Sequence, residues 1–143
     1  MLKQFIVGGG VCACNIVIHA MVMTSVVTVA RSTAVRNAER GSLLLAAVMV
    51  ATVSVLMAAH TFEVIIWAIA YSIVDIAPVG TSLVYFAFVN YTTLGYGDVT
   101  PVADWRLLGP ITAMNGVLLF GWSTAVIFEV LRAAMNAGLQ RAD

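Results

Sequence analysis

The chain is built from long apolar runs separated by short polar stretches. Three runs, residues 5–30, 42–77 and 110–134, are long enough to cross the ~30 Å hydrocarbon core of a bilayer as helices. A fourth run, residues 82–92, is apolar and aromatic but would measure only ~17 Å as a helix, so it cannot span a membrane. The pattern predicts an all-α integral membrane protein in which this fourth segment enters the bilayer partway and turns back.

The run over residues 42–77 is open to two interpretations, because as one helix it would measure ~54 Å, longer than a whole bilayer. It is either one long helix, tilted or overhanging, or two short spans. Two spans would need a tight reversal near Ala58–Val64, where there is no Gly, Pro or Asn. We favour one helix, ended by Pro78-Val79-Gly80.

Composition agrees with a membrane protein, since 62% of the residues are hydrophobic and only 10% are charged. The formal net charge of zero leaves no basic face for nucleic acid, and the lipid bilayer is the expected partner. Residues 31–40 carry three arginines and one glutamate, which favours a cytoplasmic loop, an outside N-terminus and a cytoplasmic C-terminus. No HExxH, CxxC or nucleotide-binding loop is present, so we do not expect an enzyme.

The polar stretch YTTLGYGDVTP follows the short apolar segment. Gly95 and Gly97 can adopt positive φ angles, which let successive carbonyls point to one side. The Thr93 hydroxyl can add an oxygen, while we expect Leu94 to turn into an apolar shell and Tyr96 into the aromatics of the short helix. Four copies around an axis would form stacked rings of oxygens suited to a dehydrated alkali cation.

TTLGYGD resembles the potassium-channel signature, and the order of segments over roughly residues 65–135 resembles the two-helix pore domain of prokaryotic potassium channels. More narrowly, the chain is similar to small bacterial potassium channels of the two-pore-domain-like, ion-channel type 2 kind. One pore loop per chain then implies a homotetramer in the cell inner membrane. The implied parts are an extra N-terminal transmembrane helix with its Arg-rich loop (1–41), a pore domain (42–134) with outer helix 42–77, pore helix 81–92, filter 93–97 and inner helix 105–134, and a short cytoplasmic tail (135–143).

The resemblance also implies a passive potassium-selective channel with K⁺ in its filter and no organic cofactor. The carbonyls of Thr93, Leu94, Gly95 and Tyr96 would coordinate the ions, with Gly97 at the outer mouth. No voltage-sensor helix and no soluble regulatory domain are expected on this chain.

Further residues are expected to support the filter. Thr92 precedes it and Asp98 follows it. Val89 stands where some relatives carry a glutamate bonded to the filter aspartate. Tyr85 stands where a relative's tryptophan bonds that aspartate, so we expect a bond from Tyr85 to Asp98 in its place.

The predicted inner helix begins at Trp105 with Asp104 as N-cap, and Gly109-Pro110 interrupts it. Gly116 and Gly121 are either gating hinges or close-packing points.

Other polar residues of this helix have separate interpretations. At least one of Asn115, Ser123 and Thr124 is expected to line a cavity. Glu129 and Arg132 are expected to form an exposed pair, with a gate residue as the alternative.

Four polar residues lie inside the predicted spans: Asn15 and His19 in the first, His60 and Glu63 in the second. One interpretation is a hydrogen-bonded cluster that ties the first span to the outer helix. A second is a proton-sensitive switch, since histidine beside a carboxylate titrates near physiological pH. A third is a metal site of two histidines and one glutamate.

Two alternatives to a potassium-selective channel stay open. A weakly selective cation channel would keep the architecture with a looser filter, although Tyr96 argues against it. A non-conducting structural or regulatory membrane subunit is the other, and the presence of both Gly95 and Gly97 argues against that.

Overall fold

The computed structural model describes residues 1–36 and 41–139. The described chain is helical, without strands in these ranges: α1 (Leu2–Arg36), α2 (Gly41–Ile73), α3 (Leu83–Tyr91), a 3₁₀ helix (Ala103–Trp105) and α4 (Leu108–Leu139). Three stretches are long and apolar enough to cross a membrane. They are Leu2–Thr33, Leu45–Ile73 and Ala103–Asn136. The predicted all-α membrane fold is therefore confirmed.

The first helix is longer than predicted. We expected a loop from Arg31 to Arg40, but α1 continues to Arg36, and residues 37–40 lie outside the described part of the chain. A helix can continue through this stretch because residues 31–36 contain neither Gly nor Pro. At the other end of the chain, α4 extends to Leu139, well into the predicted tail, and residues 140–143 lie outside the described residues.

The long second run forms one helix, α2, which ends at Ile73 and not at the predicted residue 77. Asp75 adopts a left-handed conformation with φ of 51°, and the amide of Ile76 donates to the carbonyl of Tyr71 at 3.2 Å. Both are features of a Schellman-type helix end, here with aspartate at the position usually taken by glycine. Ile76 is buried beside Tyr71, so the apolar contact typical of this motif ends the helix before Pro78 is reached.

The last long helix starts later than predicted. Trp105 and Asp104 belong to the 3₁₀ helix, and α4 begins only at Leu108. Pro110 therefore lies in the first turn of α4, where the amide that proline lacks would have no helical partner in any case. The proline starts the helix and does not interrupt it.

The chain divides into two compact units. The first comprises residues 1–18 and 60–120, and its core includes residues of the short helix α3. Phe86, Ala87 and Tyr91 of α3 are buried with residues of α2 and with Leu108 of α4. The short apolar segment is thus held inside this unit.

The second unit comprises residues 19–59 and 121–143. Its core includes Met23 of α1, Leu56 of α2 and Val126 of α4. Glu129 binds Arg132 at 2.8 Å, as expected, and also binds Arg31 of α1 at 2.7 Å. The contact with Arg31 was missed, because it joins residues 98 positions apart.

Candidate functional site

The candidate site is the segment that follows α3 in the first unit. Gly80, with φ of 91°, completes the turn that leads into this helix. The Ser82 side chain then accepts a hydrogen bond from the backbone amide of Tyr85 and caps α3. With nine residues, α3 measures only ~13 Å, so the chain must reverse inside the unit.

The reversal is fixed by hydrogen bonds to the last turn of α3. The Thr92 hydroxyl donates to the carbonyl of Phe88 at 2.7 Å. The amides of Leu94 and Gly95 both point to the carbonyl of Val89, at 3.0 and 3.4 Å. Val89 itself is buried, so the α3 end of the segment is attached to a packed residue.

The backbone after this reversal alternates in handedness. Thr93, Gly95 and Gly97 have φ angles of 60°, 57° and 81°, while no positive φ is found at Leu94 or Tyr96. A strand normally points successive carbonyls to opposite sides, and a left-handed residue at every second position brings them to the same side. This alternation favours a row of carbonyl oxygens along one side, and residues 93–97 are called the carbonyl row.

The left-handed conformation of Thr93 is the feature of this row that sequence reasoning missed. We expected positive φ only at the two glycines, since a β-branched residue rarely adopts it. A left-handed non-glycine residue costs on the order of 1–3 kcal/mol, and such costs cluster at functional sites. The only sequence signal was the repeat of every second residue, which reaches back from Gly97 through Gly95 to Thr93.

Leu94 and Tyr96 do not pack as predicted within one chain. Leu94 is 53% exposed and Tyr96 is 68% exposed, although we expected an apolar shell around the first and the aromatics of α3 around the second. Within one chain both side chains are therefore largely uncovered, and their surroundings among several copies stay a prediction.

Tyr85 and Asp98 are joined as expected. The Tyr85 hydroxyl donates to a carboxylate oxygen of Asp98 at 2.8 Å. This hydrogen bond to a carboxylate is the main reason why the pKa of Tyr85 is raised above its ordinary value. It attaches the far end of the segment to α3, so both ends of the carbonyl row are held by the same helix.

A buried polar group lies at the end of α3. The hydroxyl of Tyr91 donates to Glu63 Oε2 at 2.5 Å, and His60 Nδ1 lies 2.9 Å from that hydroxyl and 3.1 Å from the carboxylate oxygen. All three residues are buried. Helix α2 is thereby hydrogen-bonded to the last residue of α3.

Asn15 of α1 is buried in the same unit. Its amide nitrogen donates to Asn115 Oδ1 at 3.0 Å and lies 3.4 Å from the Glu63 carbonyl oxygen. Asn115 Oδ1 also accepts from Trp67 Nε1 at 2.9 Å. Asn15 Oδ1 is buried and has no hydrogen-bond partner among the described residues.

Two of the three residues considered as cavity-lining are buried. Asn115 is buried between α1 and α2, and Ser123 is buried in the second unit, so neither faces an open space in the chain. Thr124 is exposed.

The fourth predicted cluster member, His19, belongs to the second unit. Its Nε2 lies 3.2 Å from the Ser123 hydroxyl, and its ring is 5.6 Å from that of Trp122. Asn15, His60 and Glu63 belong to the first unit, where the contacts described above bring them together.

The two candidate hinge glycines have different surroundings. A Cβ on Gly116 would overlap the backbone carbonyl of Tyr91, whereas a Cβ on Gly121 would meet nothing within 4 Å in the described chain. Gly116 therefore allows α4 to approach the end of α3 closely. This contact favours a packing role for Gly116.

The family model described as an ion channel matches residues 43–133, more than half of the chain. The matched region runs from α2 to α4 and includes α3 and the carbonyl row. The chain therefore belongs to this ion channel family, which is not a class of enzymes. No curated protein and no solved structure matches it.

Proposed function

We propose that the protein is a potassium-selective channel that conducts K⁺ passively. The observation that carries this proposal is the alternation of φ at Thr93, Gly95 and Gly97 directly after a short helix. A one-sided row of carbonyls replaces the water around a partly dehydrated cation, and four such rows around an axis form successive cages of oxygens. The resemblance of TTLGYGD to the potassium-channel signature supports K⁺ as the ion.

The proposed ion sites use the carbonyls of Thr93, Leu94, Gly95 and Tyr96, with the Thr93 hydroxyl as an additional ligand. Neighbouring ions repel one another, so entry of one ion advances the next. The carbonyl end of α3 carries the negative end of the helix dipole, which favours a cation close to Thr93.

A homotetramer is part of the proposal. Support comes from the exposure of Leu94 and Tyr96, because large apolar and aromatic side chains beside an ion pathway need a covering. In a ring of four copies, the neighbouring copies supply it.

The proposed orientation in the cell inner membrane has the N-terminus outside and residues 31–40 inside. Lys3 Nζ binds Asp104 at 3.0 Å, so the N-terminus shares a side with the segment that follows the carbonyl row. The arginines near the other end of α1 favour the cytoplasm. Both observations support the same orientation.

Ion flux from liposomes tests this function. Protein reconstituted with a K⁺ gradient should show K⁺ flux that external barium blocks and that Na⁺ does not replace. Gly95→Ala and Gly97→Ala should abolish this flux, because a Cβ at positive φ strains the carbonyl row.

Gly80→Ala is the matched control for strain. Gly80 also has positive φ with nothing within 4 Å of an added Cβ, but it lies before α3. This variant should keep selective flux. Wild-type protein that passes Na⁺ as readily as K⁺, or selective flux in Gly95→Ala, would contradict the proposal.

A further inference from the structure

Glu63 is a fully buried carboxylate in a helix apolar enough to span a membrane. Ionisable groups at such positions are costly, and an apolar side chain would fill the space more cheaply. We therefore expect the Glu63 carboxylate to have a specific role. Its Oε2 accepts a hydrogen bond from the hydroxyl of Tyr91, the last residue of α3, at 2.5 Å.

The single proton of the Tyr91 hydroxyl sets the direction of its hydrogen bond to Glu63. A tyrosine hydroxyl has one proton, which Tyr91 donates to Glu63 Oε2. His60 Nδ1 lies within hydrogen-bond distance of both oxygens, and its tautomer decides whether it donates or accepts there. Glu63 Oε2 is the acceptor of the Tyr91 hydroxyl.

Tyr91 is also directly coupled to the carbonyl row. Thr93, the first left-handed residue of the row, follows it by two positions. The Tyr91 carbonyl lies against Gly116 of α4, and its side chain is bonded to α2. With α4 on one side and α2 on the other, a displacement of Tyr91 is transmitted to the start of the row.

We propose that Glu63 is a positioning residue for the ion-selective segment. It holds Tyr91, and through Tyr91 the inner end of the carbonyl row, at the spacing that a K⁺ ion requires. The inference rests on the proposed potassium selectivity and adds a residue outside the filter and the pore helix to the parts that determine it. Glu63 touches no ion in this role.

Asn15 extends this arrangement to the first helix. Its amide lies 3.4 Å from the Glu63 backbone carbonyl, on the same residue whose side chain binds Tyr91. The N-terminal helix α1 thus contacts the backbone of the positioning residue Glu63.

The test compares ion selectivity of three variants in liposomes. Tyr91→Phe removes only the hydroxyl, and Glu63→Leu removes the acceptor, leaving His60 Nδ1 as the remaining partner of that hydroxyl. Glu63→Gln keeps a carbonyl oxygen that can accept from Tyr91. We expect Tyr91→Phe and Glu63→Leu to lower the K⁺ over Na⁺ flux ratio by about tenfold, and Glu63→Gln to retain most of it.

The double variant Glu63→Leu with Tyr91→Phe separates a direct partnership from two independent effects. If the residues act through one hydrogen bond, the double variant should lose little more selectivity than either single variant. Thr52→Val is the control, because it removes a buried hydroxyl from α2 within the second unit. It should leave the flux ratio unchanged.

Each outcome decides the inference. Lower thermal stability with an unchanged flux ratio in Tyr91→Phe would overturn it, since Glu63 would then be a structural residue only. If Glu63→Leu does not fold, Tyr91→Phe and Glu63→Gln decide the question by themselves. A wild-type protein without selectivity would instead refute the proposed function. The flux ratio of the wild-type protein alone gives that result.

Discussion

The backbone of Gly116 on α4 lies directly against the carbonyl oxygen of Tyr91, at the end of the short helix that precedes the carbonyl row. No side chain fits between the two elements. The packing of α4 against this point therefore depends on one glycine, and replacing this glycine is the most direct test of the fold around the site.

Gly116→Ala should destabilise the protein, because the added Cβ collides with backbone and not with a movable side chain. Overpacking of this kind costs about 1–3 kcal/mol or more, which exceeds the ~1 kcal/mol that alanine gains over glycine in a helix. Thermal unfolding in detergent measures the effect. Gly121→Ala is the control and should be neutral or slightly stabilising, because nothing lies within 4 Å of its Cβ in the described chain. Equal melting temperatures for the two variants would contradict the close approach.

Tyr85→Phe should shorten the time over which the channel conducts. The Tyr85 hydroxyl holds Asp98 at 2.8 Å, and without it the outer end of the carbonyl row loses its attachment to α3. We expect flux to decay a few-fold faster than in wild type, measured as the time course of K⁺ flux after the gradient is applied. Tyr85→Trp, whose indole N–H is also a donor, should restore much of the duration. Identical decay in wild type and Tyr85→Phe would exclude the supporting role.

The same bond predicts a dependence on pH in one direction. The neutral tyrosine is the donor, and the bond raises the pKa of Tyr85 above its ordinary value of 10.0. The stabilising contribution is therefore complete below pH 10 and is lost only as the pH rises through the raised pKa. Wild type and Tyr85→Phe should differ by a constant factor in neutral solution and converge in strongly alkaline solution. Convergence already near neutral pH would point to a different titrating group.

Run lengths in the sequence predicted the spans and the short re-entrant segment, because bilayer thickness sets how many apolar residues a span needs. The positive φ angles of Gly95 and Gly97 could likewise be predicted from the sequence, since few other residues accept them. The helix ends were less predictable: Asp75 ends α2 by a local motif that is more often built on glycine.

Most contacts around the site could not be predicted from the sequence. Asn115 was one of three residues of which at least one was expected at a cavity, and it is buried against Asn15 and Trp67. In helices that are apolar on nearly every side, periodicity does not reveal which face meets which neighbour. The pairing of Glu63 with Tyr91 depends on how each helix is rotated about its own axis. The sequence therefore indicated a polar residue in the span but not its partner.

The Thr93 hydroxyl should contribute to ion binding at the inner end of the carbonyl row. Thr93→Ala removes this oxygen, whereas Thr93→Ser keeps it. We expect the alanine variant to need on the order of tenfold more K⁺ for half-maximal flux, the equivalent of ~1.4 kcal/mol, and the serine variant to stay near wild type. The dependence of initial flux on K⁺ concentration gives this value. Equal dependence in both variants would remove the hydroxyl from the proposed ion sites.

Asn115 should matter more for stability than Asn15, although both are buried and bonded to each other. Asn115→Leu leaves two buried donors, the Asn15 amide and the Trp67 indole, without the oxygen that accepts from both. Each unsatisfied donor costs about 1–3 kcal/mol, which is about 2–6 kcal/mol for two. Because the Asn15 amide keeps its contact with the Glu63 carbonyl, we expect a loss in the lower part of this range, about 2–4 kcal/mol. Asn15→Leu leaves the bond from Trp67 to Asn115 intact and also removes an oxygen that has no partner among the described residues, so it should cost only ~1 kcal/mol.

The double variant Asn15→Leu with Asn115→Leu completes this comparison. Once the Asn15 amide is gone, only the Trp67 donor is left without its acceptor. The double variant should therefore be less destabilised than the sum of the two single variants, as measured by thermal unfolding in one detergent. A larger loss from Asn15→Leu than from Asn115→Leu would mean that Asn115 is not the shared acceptor, and that α1 is held to α2 and α4 by other contacts.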